Sequence, residues 1–146
     1  MKFNIRFMKP EDRQSVHSMM KEFYSSELVY TNGSDEIFEN DFQTCIDNSP
    51  YLNGFVFCEN SNIIGYAMIA KSFSTEFGKP CIWLEDLYLQ KEFRGKGISV
   101  LLFDYLKEVY PNYVFRLEVE TENKHALHVY EKQGFTKLPY TEMIKK

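Results

Sequence analysis

The stretch Cys81-Ile82-Trp83-Leu84-Glu85-Asp86-Leu87-Tyr88-Leu89 constrains this chain more than any other. It is a near-continuous apolar run, short and rich in aromatic and branched side chains, as expected of a central strand covered on both faces. Such a strand needs a layer of helices above the sheet and another below it. Two acids, Glu85 and Asp86, stand in the middle of the run. A carboxylate is costly among apolar neighbours unless it has a partner or a task.

The flanking sequence supplies those layers. Phe3, Ile5 and Phe7 alternate with polar residues and predict a first strand. Pro10-Glu11-Asp12 opens a helix whose apolar stripe is Val16, Met19, Met20 and Phe23. Thr31-Asn32-Gly33-Ser34 is a turn, and Phe38, Phe42, Cys45 and Ile46 predict a second helix that stops before Pro50. Two strands, around 55–57 and 63–73, join at Glu59-Asn60-Ser61-Asn62, and Gly78-Lys79-Pro80 breaks the chain before the central strand. Ile98, Leu101, Leu102, Tyr105, Leu106 and Val109 give a strong helical stripe after Gly97. A strand over 113–119, a helix over 123–133 ended by Gly134, and a last strand from Phe135 complete the order β-α-α-β-β-β-α-β-α-β. The fold class is α/β (α+β), with a mixed sheet and helices on both faces, and residues 1–146 form one domain without linker or repeat.

The 146 residues suffice for a core without disulfide or metal staples. Cys45, Cys58 and Cys81 are an odd number with no CxxC, which predicts free thiols in a reducing compartment. The first residues are charged and alternating, unlike a signal peptide, and no apolar run has membrane-spanning length; the expectation is a cytoplasmic protein with no membrane partner. A net charge of -4 without a Lys/Arg-rich block speaks against nucleic acid and permits a cationic small molecule.

Arg94-Gly95-Lys96-Gly97-Ile98-Ser99 lies between the central strand and the most regular helix. Glycines let backbone amides approach an anion, the helix dipole adds positive potential, and Arg94 and Lys96 add charge, so a pyrophosphate is the natural ligand. A nucleotide P-loop fails here, because Gly97 stands directly after Gly95-Lys96, where it needs Ser or Thr. The dinucleotide GxGxxG fails at Val100. On these six residues alone, a plain glycine turn before a helix explains the pattern equally well. In the next helix, Asn123, Leu127, Tyr130 and Gly134 share a face. Asn123 can cap it, and Tyr130 reads either as a core tyrosine or as a site residue. His125 and His128 lack a third ligand, so no metal is expected.

Taken together, Leu84-Glu85-Asp86-Leu87-Tyr88-Leu89, Arg94-Gly95-Lys96-Gly97-Ile98-Ser99 and Asn123…Ala126…Tyr130-Glu131-Lys132…Gly134-Phe135 resemble the two core motifs of the GNAT superfamily of acetyl-CoA-dependent N-acetyltransferases. The likeness covers the whole chain in element order and is strongest over 81–135. Ser99 stands where the family has another small residue. Leu-Glu-Asp before an apolar strand end is similar to the diamine (spermidine/spermine-type) and small-amine enzymes. The resemblance implies a mostly antiparallel mixed sheet of six to seven strands with a V-shaped splay between the fourth and fifth, and about four helices. It implies acetyl-CoA bound by Leu87, Tyr88, Leu89, Arg94, Gly95, Lys96, Gly97, Ile98, Ser99, Asn123 and Tyr130. It further implies a small cationic amine or polyamine acceptor near Glu85 and Asp86, and a homodimer.

The chemistry assigns roles. A protonated amine cannot attack a thioester, so a base is needed, and an apolar strand raises the affinity of Glu85 for a proton toward the useful range. Glu85 matches the base of the diamine-type enzymes; the alternative is that it faces outward or caps a bulge. An unpaired strand amide near Leu87-Tyr88-Leu89 can hold the oxyanion, and by the family match Tyr130 protonates the leaving thiolate. Two other functions stay open: a non-catalytic acetyl-CoA-binding regulatory module, and acetylation of a protein or peptide amine.

Overall fold

The computed structural model describes residues 2–146. Its strands are β1 (Phe3–Phe7), β2 (Leu52–Glu59), β3 (Asn62–Ser74), β4 (Lys79–Leu89) and β5 (Val114–Leu117). Its helices are α1 (Arg13–Tyr24), α2 (Asp35–Ile46), α3 (Ile98–Val109) and α4 (Lys124–Lys132). The sheet order is β1-β2-β3-β4-β5; the first four strands are antiparallel, and β5 joins β4 in parallel. No helix among the described residues is long and apolar enough to cross a membrane.

Local chemistry explains the boundaries. Pro10–Asp12 forms a 3-10 turn ahead of α1 instead of its first α-turn. The Asp12 carboxylate accepts from the Lys9 amide at 2.8 Å and from Arg6 Nη1 and Nη2 at 2.8 and 3.0 Å, which closes the chain tightly between β1 and α1. The Ser34 hydroxyl accepts from the Ile37 amide at 3.2 Å and starts α2. Asn60, with φ of 56°, turns the chain from β2 into β3.

The two faces of the sheet carry separate cores. Val16, Met19 and Met20 of α1 and Phe38 and Phe42 of α2 pack on Val56, Tyr66, Met68 and Tyr88. On the other face Ile98, Leu102, Phe103 and Leu106 of α3 pack on Phe55, Phe57, Ile69, Ile82 and Leu84, with Tyr130 and Phe135 at the margin. This second core holds the start of α3 against the end of β4.

Two expectations need correction. Among the described residues the sheet has five strands, not six to seven, and the segment from Phe135 onward is not a strand. Its backbone enters no ladder, Pro139 has no amide to donate, and Leu138, Tyr140, Met143 and Ile144 are exposed. The fifth strand is also shorter than its apolar pattern, ending at Leu117.

Leu102 is fully buried and seats α3 on the sheet. Leu102→Ala is expected to cost about 2–5 kcal/mol, read as a lower urea midpoint with an unchanged slope.

Candidate active site

The centre of the site is a one-residue irregularity. In the β3–β4 ladder Leu84 lies opposite Ile69 and Asp86 opposite Met68, so Glu85 is the extra residue of a β-bulge. The bulge reverses the alternation of β4. Leu84 and Leu87 face the α3 core, whereas Asp86 and Tyr88 face the α1/α2 side. Glu85 itself is exposed. At the same place β4 loses its other neighbour: the parallel ladder with β5 runs from Cys81–Val114 to Leu84–Leu117 and stops, while β4 continues to Leu89. From Glu85 to Leu89 the edge of β4 that faces away from β3 has no ladder partner among the described residues.

The chain then turns into α3. Gly95 and Gly97 have φ of 76° and 78°, a left-handed conformation that glycine adopts without strain. Gly97 is the N-cap, and the Leu101 amide donates back to its carbonyl at 3.3 Å. Among the described residues the amides of Gly95 through Val100 have no hydrogen-bond partner. They collect at the positive end of α3, an arrangement that binds anions. Ile98 is buried and anchors the turn, and the exposed Lys96 lies with its Nζ 6.0 Å from the Phe93 ring centre. Arg94 is tied to the strand end: its Nε donates to the Leu89 carbonyl at 2.8 Å, and its guanidinium sits 5.5 Å from the Tyr88 ring centre.

Acids from four parts of the chain surround Glu85. Although Glu85 keeps its contact with solvent, partial desolvation by the atoms packed around it, then Asp86 and Glu142, raise its affinity for protons above that of an ordinary glutamate. Burial with Asp86 and Glu85 nearby raises Asp41 of α2 to about 6. Glu118, just past β5, reaches about 7, chiefly through a hydrogen bond with Glu142 of the C-terminal segment, then through burial. Asp86 is only 3% exposed; its Oδ1 accepts from the Tyr24 hydroxyl and its Oδ2 from the Tyr66 hydroxyl, each at 2.8 Å. Burial pushes Asp86 up and the two hydroxyls pull it back. The arrangement is an acidic patch, and a field of that sign favours cations.

Tyr130 lies on the α3 side, packed against Phe103 (centroids 6.2 Å apart) and Phe135 (5.8 Å), and burial pushes its phenol up to about 12. The Asn123 carboxamide oxygen caps α4 by accepting from the Ala126 amide at 3.2 Å. The Ser99 hydroxyl accepts from Gln133 Nε2 at 3.4 Å, joining the first turn of α3 to the end of α4. The sequence-derived residues thus fall into two groups, the acids at the bulge and the amides of 95–100, joined by Leu87, Tyr88, Leu89 and Arg94. Asp41, Glu118, Glu142, Tyr24 and Tyr66 were missed. Asp41 leaves a readable trace, since it sits in the stripe Phe38, Phe42, Cys45 where an acid is out of place.

Comparison with known proteins places this geometry in a family. A family model described as "Acetyltransferase (GNAT) family" matches residues 14–135. The mouse thialysine N-epsilon-acetyltransferase is 32% identical over 87 residues, 58% of this chain and 51% of that protein. The cattle protein of the same name is 34% identical over 83 residues, 55% and 48%. The chain spans about half the length of the curated relatives it matches. Solved structures share the fold over nearly the full length. A possible acetyltransferase from Clostridium difficile 630 has a TM-score of 0.82 at 20% identity, covering 100% of this chain and 98% of that one. A second, AAC(6')-Iy in complex with a bisubstrate analogue of CoA and acetylneamine, has a TM-score of 0.80 at 16% identity, covering 100% and 99%.

The Glu118–Glu142 pair is open to direct measurement. Carbon-detected NMR is expected to show Glu118 titrating near 7, and Glu142→Gln should bring it down toward the ordinary carboxylate range. A titration unmoved by the substitution would remove Glu142 as the cause.

Proposed function

Because this chain belongs to the acetyltransferase (GNAT) family, we propose that it moves an acetyl group from acetyl-CoA to a primary amine, most suitably a small cationic amine of the diamine or thialysine type. The observation that carries this reading is the coincidence of three features on one strand. β4 loses β5 at the bulge, presents Glu85 there, and leads directly into six unpartnered amides at a helix start. The amides of 95–100 fit a diphosphate, with Arg94 and Lys96 adding charge. The open edge of β4 over Leu87, Tyr88 and Leu89 fits an extended amide-bearing arm, which would pair with it as an added strand does. Asn123 and Tyr130 belong to the same cosubstrate side.

In this mechanism the negative patch draws the ammonium group toward Glu85. Glu85 takes the proton that keeps the amine from attacking, directly or through a water, and its raised proton affinity suits that task. An unpaired amide at the end of β4 donates to the oxygen that gains charge as the amine adds to the thioester. Tyr130 gives its proton to the departing thiolate; burial holds that proton up to about 12, so the transfer to a thiolate whose thiol has a pKa of about 8.5 is uphill, and the tyrosinate it leaves takes a proton back from water. No cysteine takes part. Cys58 and Cys81 are buried, and burial pushes the Cys45 thiol up to about 12.

A free-thiol release assay with acetyl-CoA, four small amines (thialysine, lysine, spermidine and neamine) and a short lysine-containing peptide tests the proposal. Turnover of at least one of the small amines is expected. Acetyl-CoA binding in calorimetry without any turnover would favour the regulatory-module reading, and turnover of a peptide amine alone would favour the peptide reading.

Two substitutions test the roles. Glu85→Gln and Tyr130→Phe should each lower turnover by about 10²–10⁴-fold while acetyl-CoA binding stays near the parent value. The parent rate should rise with pH through the titration of Glu85, above the ordinary glutamate value, because only the ionised form accepts a proton. Glu85→Gln should lose that acid limb. A Glu85→Gln enzyme with the parent's rate and profile would place the base elsewhere.

A further inference from the structure

Asp86 is the most deeply buried acid beside the site, and its two oxygens are both engaged. Tyr24 is the last residue of α1; its ring packs against Phe38 of α2, with centroids 5.4 Å apart, while its hydroxyl reaches Asp86 Oδ1. Tyr66 of β3 is fully buried, stacks on Tyr88 at 6.2 Å, and its hydroxyl reaches Asp86 Oδ2. The carboxylate therefore joins the end of α1 to β3 and β4 at one point.

That point controls the bulge. Starting from Leu84, regular alternation would put Asp86 on the α3 face, among Ile69, Ile82 and Ile98, where no donor awaits it. The extra residue sends Asp86 to the opposite face, where two hydroxyls wait. A slip of one residue would exchange every side chain of the strand end between the two cores. The two phenols thereby select the bulged register, and the bulged register is what leaves Glu85 outside both cores.

We infer that Asp86 is a positioning residue: gripped by Tyr24 and Tyr66, it holds the β4 bulge and so presents Glu85 at the open end of the β4–β5 pair. This rests on the reading of Glu85 as the base. Asp86 acts through that residue instead of touching the acceptor, since it is only 3% exposed and each of its oxygens already accepts a phenol hydroxyl. It also acts as a fixed like charge. The groups facing it are Tyr24 from α1, Asp41 and Cys45 from α2, and Tyr66 from β3, with Glu85 beside it on β4; Glu85 in turn faces Asp41, Glu118 and Glu142.

The test is steady-state kinetics of Tyr24→Phe, Asp86→Asn and Asp86→Ala, with acetyl-CoA and the fastest of thialysine, lysine, spermidine and neamine. Tyr24→Phe keeps the ring against Phe38 and removes only the grip. It is expected to lower kcat about tenfold, while the acceptor KM and the acetyl-CoA Kd stay within about twofold of the parent. Asp86→Asn, which still accepts one hydroxyl, should lose less than Asp86→Ala. Asp86→Asn should also move the acid limb of kcat/KM to lower pH, because removing a neighbouring negative charge lowers the proton affinity of Glu85. A Tyr24→Phe enzyme with the parent's kcat overturns the inference, and so does an Asp86→Asn enzyme that keeps its kcat while the acceptor KM rises about tenfold. If the Asp86 variants do not fold, Tyr24→Phe decides alone. Glu85→Gln run in parallel separates the two readings. Full activity there removes the base, whereas loss there beside an unaffected Tyr24→Phe removes only the clamp.

Discussion

One inserted residue organises this molecule. Leu84 and Leu87 belong to the α3 core, while Asp86 and Tyr88 face the α1/α2 side. Strict alternation cannot satisfy both sets, because residues three apart on a regular strand face opposite ways. Glu85 takes up the difference. It has no counterpart on β3, and the strand bends where it sits. The β4–β5 ladder ends one residue earlier, at Leu84. The fold thus concentrates its irregularity where a backbone edge is needed. Everywhere else on β4 the register is held by two apolar cores, so the irregularity stays local.

The electrostatics follow from that placement. Taking a carboxylate out of water costs several kcal/mol, and each charge-assisted hydrogen bond returns roughly 1.5–3 kcal/mol. Asp86 meets that cost with two phenols. Burial holds the Asp41 proton up to about pH 6, and the neighbouring Glu142 raises Glu118 to about 7. The patch is therefore only partly ionised near neutrality. An ammonium group entering it lowers the proton affinity of every neighbouring carboxylate. Binding a cation would release protons and strengthen the negative potential, so the patch responds to the charge it attracts.

The sequence made most of the scaffold legible because its signals are local. Period-two alternation marked β1, the stripes at i, i+3, i+4 and i+7 marked α1, α2 and α3, and Asn123 and Gly134 bracketed α4. The loop was legible too, since Gly95 and Gly97 both take the left-handed backbone that their position demands. What was not legible depends on partners. A strand exists only beside another, and the apolar residues after Phe135 enter no ladder although β5 leaves its outer edge unpaired. The bulge left an ambiguous trace: two acids inside an apolar run are compatible with either face. The convergence of Glu118 and Glu142 had no trace, because it depends on where the C-terminal segment runs, and no local pattern encodes that course. Asp41 was the opposite case, a legible misfit in an apolar stripe whose meaning appeared only with Asp86 opposite it.

The two ends of the site are held at a fixed separation by one strand. Glu85 opens the unpaired edge of β4 and Leu89 closes it; the Leu89 carbonyl takes the Arg94 guanidinium, and the amide-rich turn begins there. Four residues of strand span about 13 Å at ~3.3 Å per residue. Ile98 and Leu102 fix the far end against the α3 core, and the Asp86 clamp fixes the near end against α1 and β3. A shift of β4 by one residue would alter the spacing by about 3.3 Å and turn its side chains over at the same time. Position along the strand and face of the strand are coupled, so the two cores that hold the register also hold the distance between Glu85 and the amide-rich turn. The precision of the site is thus a property of the sheet, and the exposed loop only inherits it.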